Sequence, residues 1–471
     1  MKKIYLVLGL ILACSLYAQN VEKLRTDYNG PKVKYIFFFI GDGMGLAHIN
    51  MAEAYEAAVK GKIGVEKLNF TKFPGLAIAT NYATDRYITD SAAAGTALAT
   101  GSKTSVDTIS MDAGRTKKIK SIAEMAKEKG MKVGIITTAN INDATPAVFY
   151  SHQPERSMLK EIANDLPKSG FNFFGGGNLK NVKNAKELLT KNGYVYVDSK
   201  KGFNSLKDKN AKVFATCPIR DASEACRFTI DQTSADITLS DITKKGIELL
   251  DNPKGFFVMI EGGKIDWAAH VNDAASDIKD VEAFDKAIAE ALKFYEKHPE
   301  ETLIVVTADH ETGGLSLGYA GMHYDTAFAK LKNQKISVDV MEQKIAEYKK
   351  SHTAGKAKLK DLMPFIEQKF GLGSKSKGLA LTEDDKKALE EAFTATITGT
   401  KNISKYGKDA EPLSWTISKI LDQKSGISWT TFSHTGIPVI VFSKGHGSEL
   451  FKGYIDNTDI PKNIMIAAGL K

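Results

Sequence analysis

Ser91 heads a run of small residues, Ser91-Ala92-Ala93-Ala94-Gly95-Thr96-Ala97-Leu98-Ala99-Thr100, which follows Thr89-Asp90 and closes on Gly101. Ala and Leu favour helix and Gly suits a C-terminal stop, so the pattern predicts a helix beginning at Ser91. A hydroxyl there faces free backbone N–H groups and the positive end of the helix dipole, a place suited to phosphate. Taken alone, the stretch fits a capping serine as well as a nucleophile.

A second kind of chemistry recurs along the chain. Carboxylates and imidazoles follow short apolar runs. Asp42 follows residues 34–40, Asp143 and Thr145 follow 132–138, and Glu261, Asp266 and His270 follow 255–260. Asp309 and His310 follow 302–307. Asp266 and His270 are four apart, so one helical turn puts both on one face. Each residue has a plainer explanation as a turn Asp, a cap Asp or a core His. Together they point to a polynuclear metal site. Oxygen and nitrogen donors without thiolate suit zinc with a harder ion such as magnesium. Arg156, near a predicted helix start, could grip phosphate oxygens with both arms of its guanidinium, although alone it reads as a surface arginine.

The elements that must position these residues follow from the same runs. Short, continuous apolar stretches read as strands buried on both faces of a parallel sheet, and ligands gather beyond the carboxyl ends of such strands. Helices are predicted over residues 117–129, 235–250 and 277–297, with mixed elements between 180 and 235. The Gly-rich stretch at 171–178 reads as a strand and a turn; the Lys and Ser/Thr of a phosphate loop do not follow it. From 318 to 428 the pattern changes to Lys-rich amphipathic helices, one opened by the capping-box sequence Thr382-Glu383-Asp384-Asp385. Residues 371–378 read as a flexible Gly/Ser/Lys connection, and 437–442 as the last core strand. The expected fold is α/β: a three-layer sandwich with a central, mostly parallel sheet flanked by helices, plus a helical insertion or cap at 318–428.

The 471 residues carry a formal charge of +8. Lys2 and Lys3 precede an apolar run ending near Leu16, the layout of a secretory signal peptide spanning residues 1–18, which leaves 8 − 2 = +6 on the mature chain. Lipidation at Cys14 is the less favoured alternative. The expected location is periplasmic or secreted, with 19–471 as one domain. Export makes a local disulfide between Cys217 and Cys226 the expected state. The positive charge is scattered, no array typical of nucleic-acid binding is present, and no later run is long enough to span a membrane.

The chain resembles the alkaline phosphatases through residues 40–45 (IGDGMG), 89–97 (TDSAAAGTA), 143–147 (DATPA), Glu261-Gly262-Gly263-Lys264-Ile265-Asp266 with His270, Thr307-Ala308-Asp309-His310 and His434-Thr435-Gly436, in family order. The resemblance implies hydrolysis of small-molecule phosphate monoesters through a phosphoserine on Ser91, with two zinc ions and one magnesium. Asp266, His270 and His434 would hold one zinc; Asp42, Asp309 and His310 the other. Asp143, Thr145 and Glu261 would hold magnesium, with Asp42 bridging, and Arg156 would clamp the phosphoryl oxygens. His48, His152, His298, His323, His352 and His446 match no ligand position and read as structural or surface residues. Two departures stand out. Many relatives carry His at Asp143, and bacterial members with Asp there often have Lys where this chain has Trp267, so the third site lacks a nearby cation. The insertion is long and would shape substrate access or a homodimer contact. Alternative readings are a phosphodiesterase or sulfatase of the same superfamily, or a non-catalytic protein that binds phosphate or metal.

Overall fold

The computed structural model describes Tyr28, residues 30–352, 355–400, 402–407 and 410–470. The expected signal peptide and Cys14 lie outside the described residues. Among the described residues there are fourteen strands: β1 (Tyr35–Gly41), β2 (Gly75–Thr80), β3 (Lys132–Thr137), β4 (Phe173–Gly176), β5 (Tyr194–Val197), β6 (Lys212–Thr216), β7 (Phe256–Glu261), β8 (Thr302–Ala308), β9 (Glu311–Thr312), β10 (Ser316–Leu317), β11 (Ile427–Ser428), β12 (His434–Thr435), β13 (Val439–Gly445) and β14 (Gly453–Asp456). Ten form one helix-flanked sheet, in the order β14-β2-β13-β8-β1-β7-β3-β4-β6-β5. Every pairing in it is parallel except the two made by β13.

The register of this sheet builds the site. β1, β7 and β8 are buried along their whole length, as their unbroken apolar sequences require. Gly41 pairs with Ala308, so Asp42 and Asp309 leave the sheet side by side. Ile40 pairs with Glu261, which brings a third carboxylate to the same edge. β13 runs antiparallel to β8, so its start lies at the carboxyl end of β8. That reversal delivers His434 to the shared edge from the far end of the sequence.

Several boundaries differ from the sequence reading. The helix expected from residue 117 begins at Ile122, because Ser121 caps it in a capping box with Glu124. The helix expected from 235 begins at Leu239 behind a Thr238–Asp241 capping box, and the one expected from 277 starts at Ala274 behind Asp273. Residues 437–442 are not the last core strand, since β14 follows. β2 was unforeseen: its Leu76 and Ile78 are exposed, so it shows none of the continuous burial used to find the others.

The 318–428 segment contains helices Val338–Ser351, Leu359–Phe370, Glu383–Thr398 and Pro412–Ser425. The β10–β11 ribbon joins its two ends, with Ser316 opposite Ser428. Residues 371–378 form a hydrogen-bonded turn pinned by the buried Leu372 and Leu379, rather than a loose connection. Pro412–Ser425 packs toward the site: Trp415 Nε1 donates to Asn272 Oδ1 at 3.2 Å and Ser418 Oγ to Asn272 O at 3.1 Å. Cys217 and Cys226 are disulfide-bonded. Among the described residues, no helix is long and apolar enough to cross a membrane.

Candidate active site

The helix Ser91–Thr100 begins where the sequence placed it and ends at Gly101, whose positive φ of 75° suits glycine. Its cap, however, is Asp90, which accepts from the Ala93 N–H at 2.9 Å. Ser91 is therefore free of the capping task, and its hydroxyl turns to the carboxyl edge of the sheet. Ser91 Oγ lies 3.1 Å from His310 Nε2 and 3.5 Å from Asp42 Oδ1.

Around that hydroxyl the sheet and its loops gather two sets of ligating atoms. Asp42, Asp309 and His310 offer atoms within 4.8 Å of one another, and so do Asp266, His310 and His434. His270 joins the second set. Its Nε2 is 3.3 Å from Asp266 Oδ2 and 3.3 Å from His434 Nε2. Backbone carbonyls orient the two outer imidazoles: His270 Nδ1 is 2.6 Å from Phe432 O, and His434 Nδ1 is 2.8 Å from Thr89 O. Gly43 has a positive φ of 70°, and a Cβ there would sit 2.8 Å from Thr312 Oγ1 and 2.9 Å from Asp266 Oδ1. The glycine is required for Asp42 and Asp266 to converge.

A third group stands beside Asp42. Thr145 Oγ1 donates to Asp42 Oδ2 at 3.3 Å, and Glu261 shares the register position beside Ile40. Asp143 caps the short helix Ala144–Ala147. The sequence reading left Asp143 without a nearby cation, but Arg156 supplies one. Arg156 Nη2 donates to Asp143 Oδ1 at 3.0 Å, and its Nη1 donates to Asp90 Oδ2 at 3.1 Å. Trp267, at the position that suggested the gap, instead lies under the Nζ of the buried Lys264, 4.2 Å from the ring centre.

The electrostatics describe a site with too much negative charge to stand alone. Burial, reinforced by Asp309 and Asp266, pushes the Asp42 carboxyl well above its usual range. Burial with Asp143 and Asp309 raises Glu261 to about 8, and burial with Asp266 raises Asp309 to about 7. Asp266 goes the other way: despite burial, the neighbouring charged His270 holds it ionised. Burial lowers both His310 and His434, which keeps them neutral, the form that binds metal. Glu261 Oε2 and Asp309 Oδ2 are buried without a hydrogen-bond partner. Unpaired buried carboxylate oxygens are costly unless a cation completes them.

All the residues singled out from the sequence meet here: Ser91, Asp42, Asp143, Thr145, Arg156, Glu261, Asp266, His270, Asp309, His310 and His434. Three further residues went unrecognised. Asp90 holds Arg156, Thr312 Oγ1 donates to Asp266 Oδ1 at 2.5 Å, and Glu311 bonds across to Thr435 and lies beside the buried His48. Asp90, Glu311 and Thr312 adjoin recognised positions, which was the only available signal.

The chain matches the alkaline phosphatase family over residues 33–176 and 163–470. It is 34% identical to alkaline phosphatase 3 of Bacillus subtilis, across 93% of this chain and 90% of that protein. A cold-active alkaline phosphatase from a psychrophilic Shewanella is 30% identical with a TM-score of 0.77, covering 92% of this chain and 99% of that one. The Thermus thermophilus alkaline phosphatase shares the fold with a TM-score of 0.79 at 23% identity, over 94% and 92% of the two chains. With the family matched along nearly the whole chain and a serine set among convergent ligands, this protein belongs to the alkaline phosphatase family and is a phosphomonoesterase.

Proposed function

We propose that the chain hydrolyses phosphate monoesters in two steps through a phosphoserine on Ser91. The observation that carries this reading is the position of Ser91 Oγ at the junction of the two ligand sets, 3.1 Å from His310 Nε2. The donor set fits metal: neutral imidazoles, buried carboxylates and two unpartnered carboxylate oxygens. Asp266, His270 and His434 would hold one zinc; Asp42, Asp309 and His310 a second; Asp143, Thr145 and Glu261 a magnesium, with Asp42 shared. Bound there, such ions lower the pKa of coordinated hydroxyls and offset charge on attacking and leaving oxygens.

The chain's own groups do the rest. Ser91 Oγ loses its proton and attacks phosphorus in line with the departing alkoxide, which takes up a proton. Water then attacks the phosphoserine, the phosphorus–Oγ bond breaks, and inorganic phosphate leaves with Ser91 restored. Arg156, held between Asp90 and Asp143, stays charged and offers its guanidinium to the equatorial oxygens. The Cys217–Cys226 disulfide supports work outside the cytoplasm, in the periplasm or after secretion.

The test uses purified, metal-loaded protein with an aryl phosphate, an aryl phosphodiester and an aryl sulfate. Preference for the monoester, metal dependence, and acid-trapped phosphate on the Ser91 peptide are expected. Preference for the diester or sulfate moves the reading to a related metallohydrolase. Absence of turnover with all three leaves a phosphate- or metal-binding protein.

A further inference from the structure

β9 and β12 are two residues each, yet they carry or adjoin His310 and His434. Their register sets Thr435 opposite Glu311 and His434 opposite Thr312. A ribbon this short does not hold its own register in water. Something else must fix it.

His48, from the helix Leu46–Val59, is fully buried beside this ribbon. Its Nδ1 lies 2.6 Å from Asp277 Oδ2, and its Nε2 lies 3.3 Å from Glu311 Oε1 and 3.0 Å from Thr312 O. The Thr312 carbonyl can only accept, so Nε2 carries hydrogen. A further proton lies in the short contact between Nδ1 and Asp277, whose own carboxyl pKa is also raised by burial. Asp277 and Glu311 raise its pKa to about 10 against the opposing effect of burial.

Glu311 spreads the hold further. Its Oε1 accepts from Leu315 N at 3.0 Å, and its Oε2 accepts from Gly314 N at 3.3 Å and from the Thr435 hydroxyl. The side chain fits only because residue 45 is glycine; a Cβ there would meet Glu311 Cγ at 2.3 Å. Thr312, whose carbonyl His48 holds, sends its hydroxyl to Asp266 Oδ1 at 2.5 Å and lies 3.2 Å from His310 Nδ1.

Each member of the chain Asp277–His48–Glu311–Thr435 follows a site residue closely in sequence: His270, Asp42, His310 and His434 respectively. Burying these ionisable groups costs desolvation that an apolar cluster would avoid; what charged hydrogen bonds add is direction. We propose that Asp277, His48, Glu311 and Thr435 form a positioning unit that locks the β9–β12 ribbon and so sets His434 and Asp266 against the Asp42–Asp309–His310 cluster. This inference rests on the metal reading above.

The experiment measures zinc per chain, in the intact protein, as chelator concentration rises. Wild type is compared with His48→Gln, Glu311→Gln, Thr435→Val and Thr435→Ser. The chelator concentration that strips the weaker zinc should fall about 10–100-fold in His48→Gln and Glu311→Gln. Thr435→Val should shift it in the same direction but less, and Thr435→Ser, which keeps the hydroxyl, should restore the wild-type curve. Variants that lower the melting temperature yet hold zinc like wild type would overturn the proposal and leave the unit a packing feature. If the His48 and Glu311 variants lose far-UV dichroism, the Thr435 pair decides: equal zinc curves for Val and Ser overturn the proposal. A wild-type protein that takes up no zinc would overturn the metal reading itself, a failure distinct from the other two.

Discussion

The two halves of the site use similar ligands in opposite surroundings. In the inner half, Asp309 and His310 have fully buried side chains and Asp42 is 8% exposed. In the outer half, His270 is 37% exposed and His434 13%. Backbone N–H groups of Gly43 and His310 fix the inner Asp309, whereas single carbonyls orient each outer imidazole. Sheet register places the inner ligands; a helical turn and a two-residue ribbon place the outer ones. The inner half is thus a rigid seat beside the Ser91 hydroxyl, and the outer half is the more exposed face. An ion in the outer half should exchange more readily.

The sharpest way to break this contrast is to remove the group the halves share. Ser91→Ala should lower kcat at least about 10⁴-fold while both halves keep their metal, measured by turnover and metal content together. Asp309→Asn should cost about 10²–10³-fold in kcat, and added zinc should not restore it, because the seat itself is altered. His270→Ala should cost about 10²-fold and recover most of its rate in excess zinc, as a weakened but open site refills. If both variants recover alike, the rigid-versus-open distinction fails. Arg156→Lys belongs to neither half. It should lose about 10-fold in kcat/KM, mostly through KM, because Lys cannot reproduce the forked contacts to Asp90, Asp143 and phosphate.

This contrast also marks how far the sequence could be read. Asp42, Glu261 and Asp309 were legible because unbroken apolar strands point to them. Asp266 and His270 were legible through helical spacing. His434 was found by motif, but its delivery depends on β13 running antiparallel, and no local pattern encodes that pairing. β2 escaped notice because Leu76 and Ile78 face outward, and β14 because only four residues form it. The Ser121-x-x-Glu124 box was present to mark the true helix start, yet the Lys-rich lead-in at 117–120 carried the periodicity five residues too far. His48 read as a structural histidine because its partners, Asp277 and Glu311, lie more than 200 residues away.

The smallest effect separates the halves by proton release. In metal-free protein, Glu261 titrates near 8 and His270 near 9. Burial with neighbouring carboxylates raises Glu261, whereas Asp266 raises His270 against burial. In the unfolded chain both have lost their protons by pH 7.5, since ordinary Glu and His titrate near 4.3 and 6.5. Between pH 7.5 and 9 the folded state therefore binds more protons than the unfolded state, and stability falls as pH rises. The melting temperature of the metal-free protein should drop across this window, by roughly 2 °C for each proton released. Glu261→Gln, beside the inner half, should remove the part of the slope that fades near 8, and His270→Asn, in the outer half, the part that runs on and fades near 9. Metal-loaded protein should show the reverse trend or none, because deprotonated ligands bind metal more tightly. A metal-free slope that neither substitution changes would mean that both titrations lie outside the site, and the electrostatic contrast between its halves would fall with them.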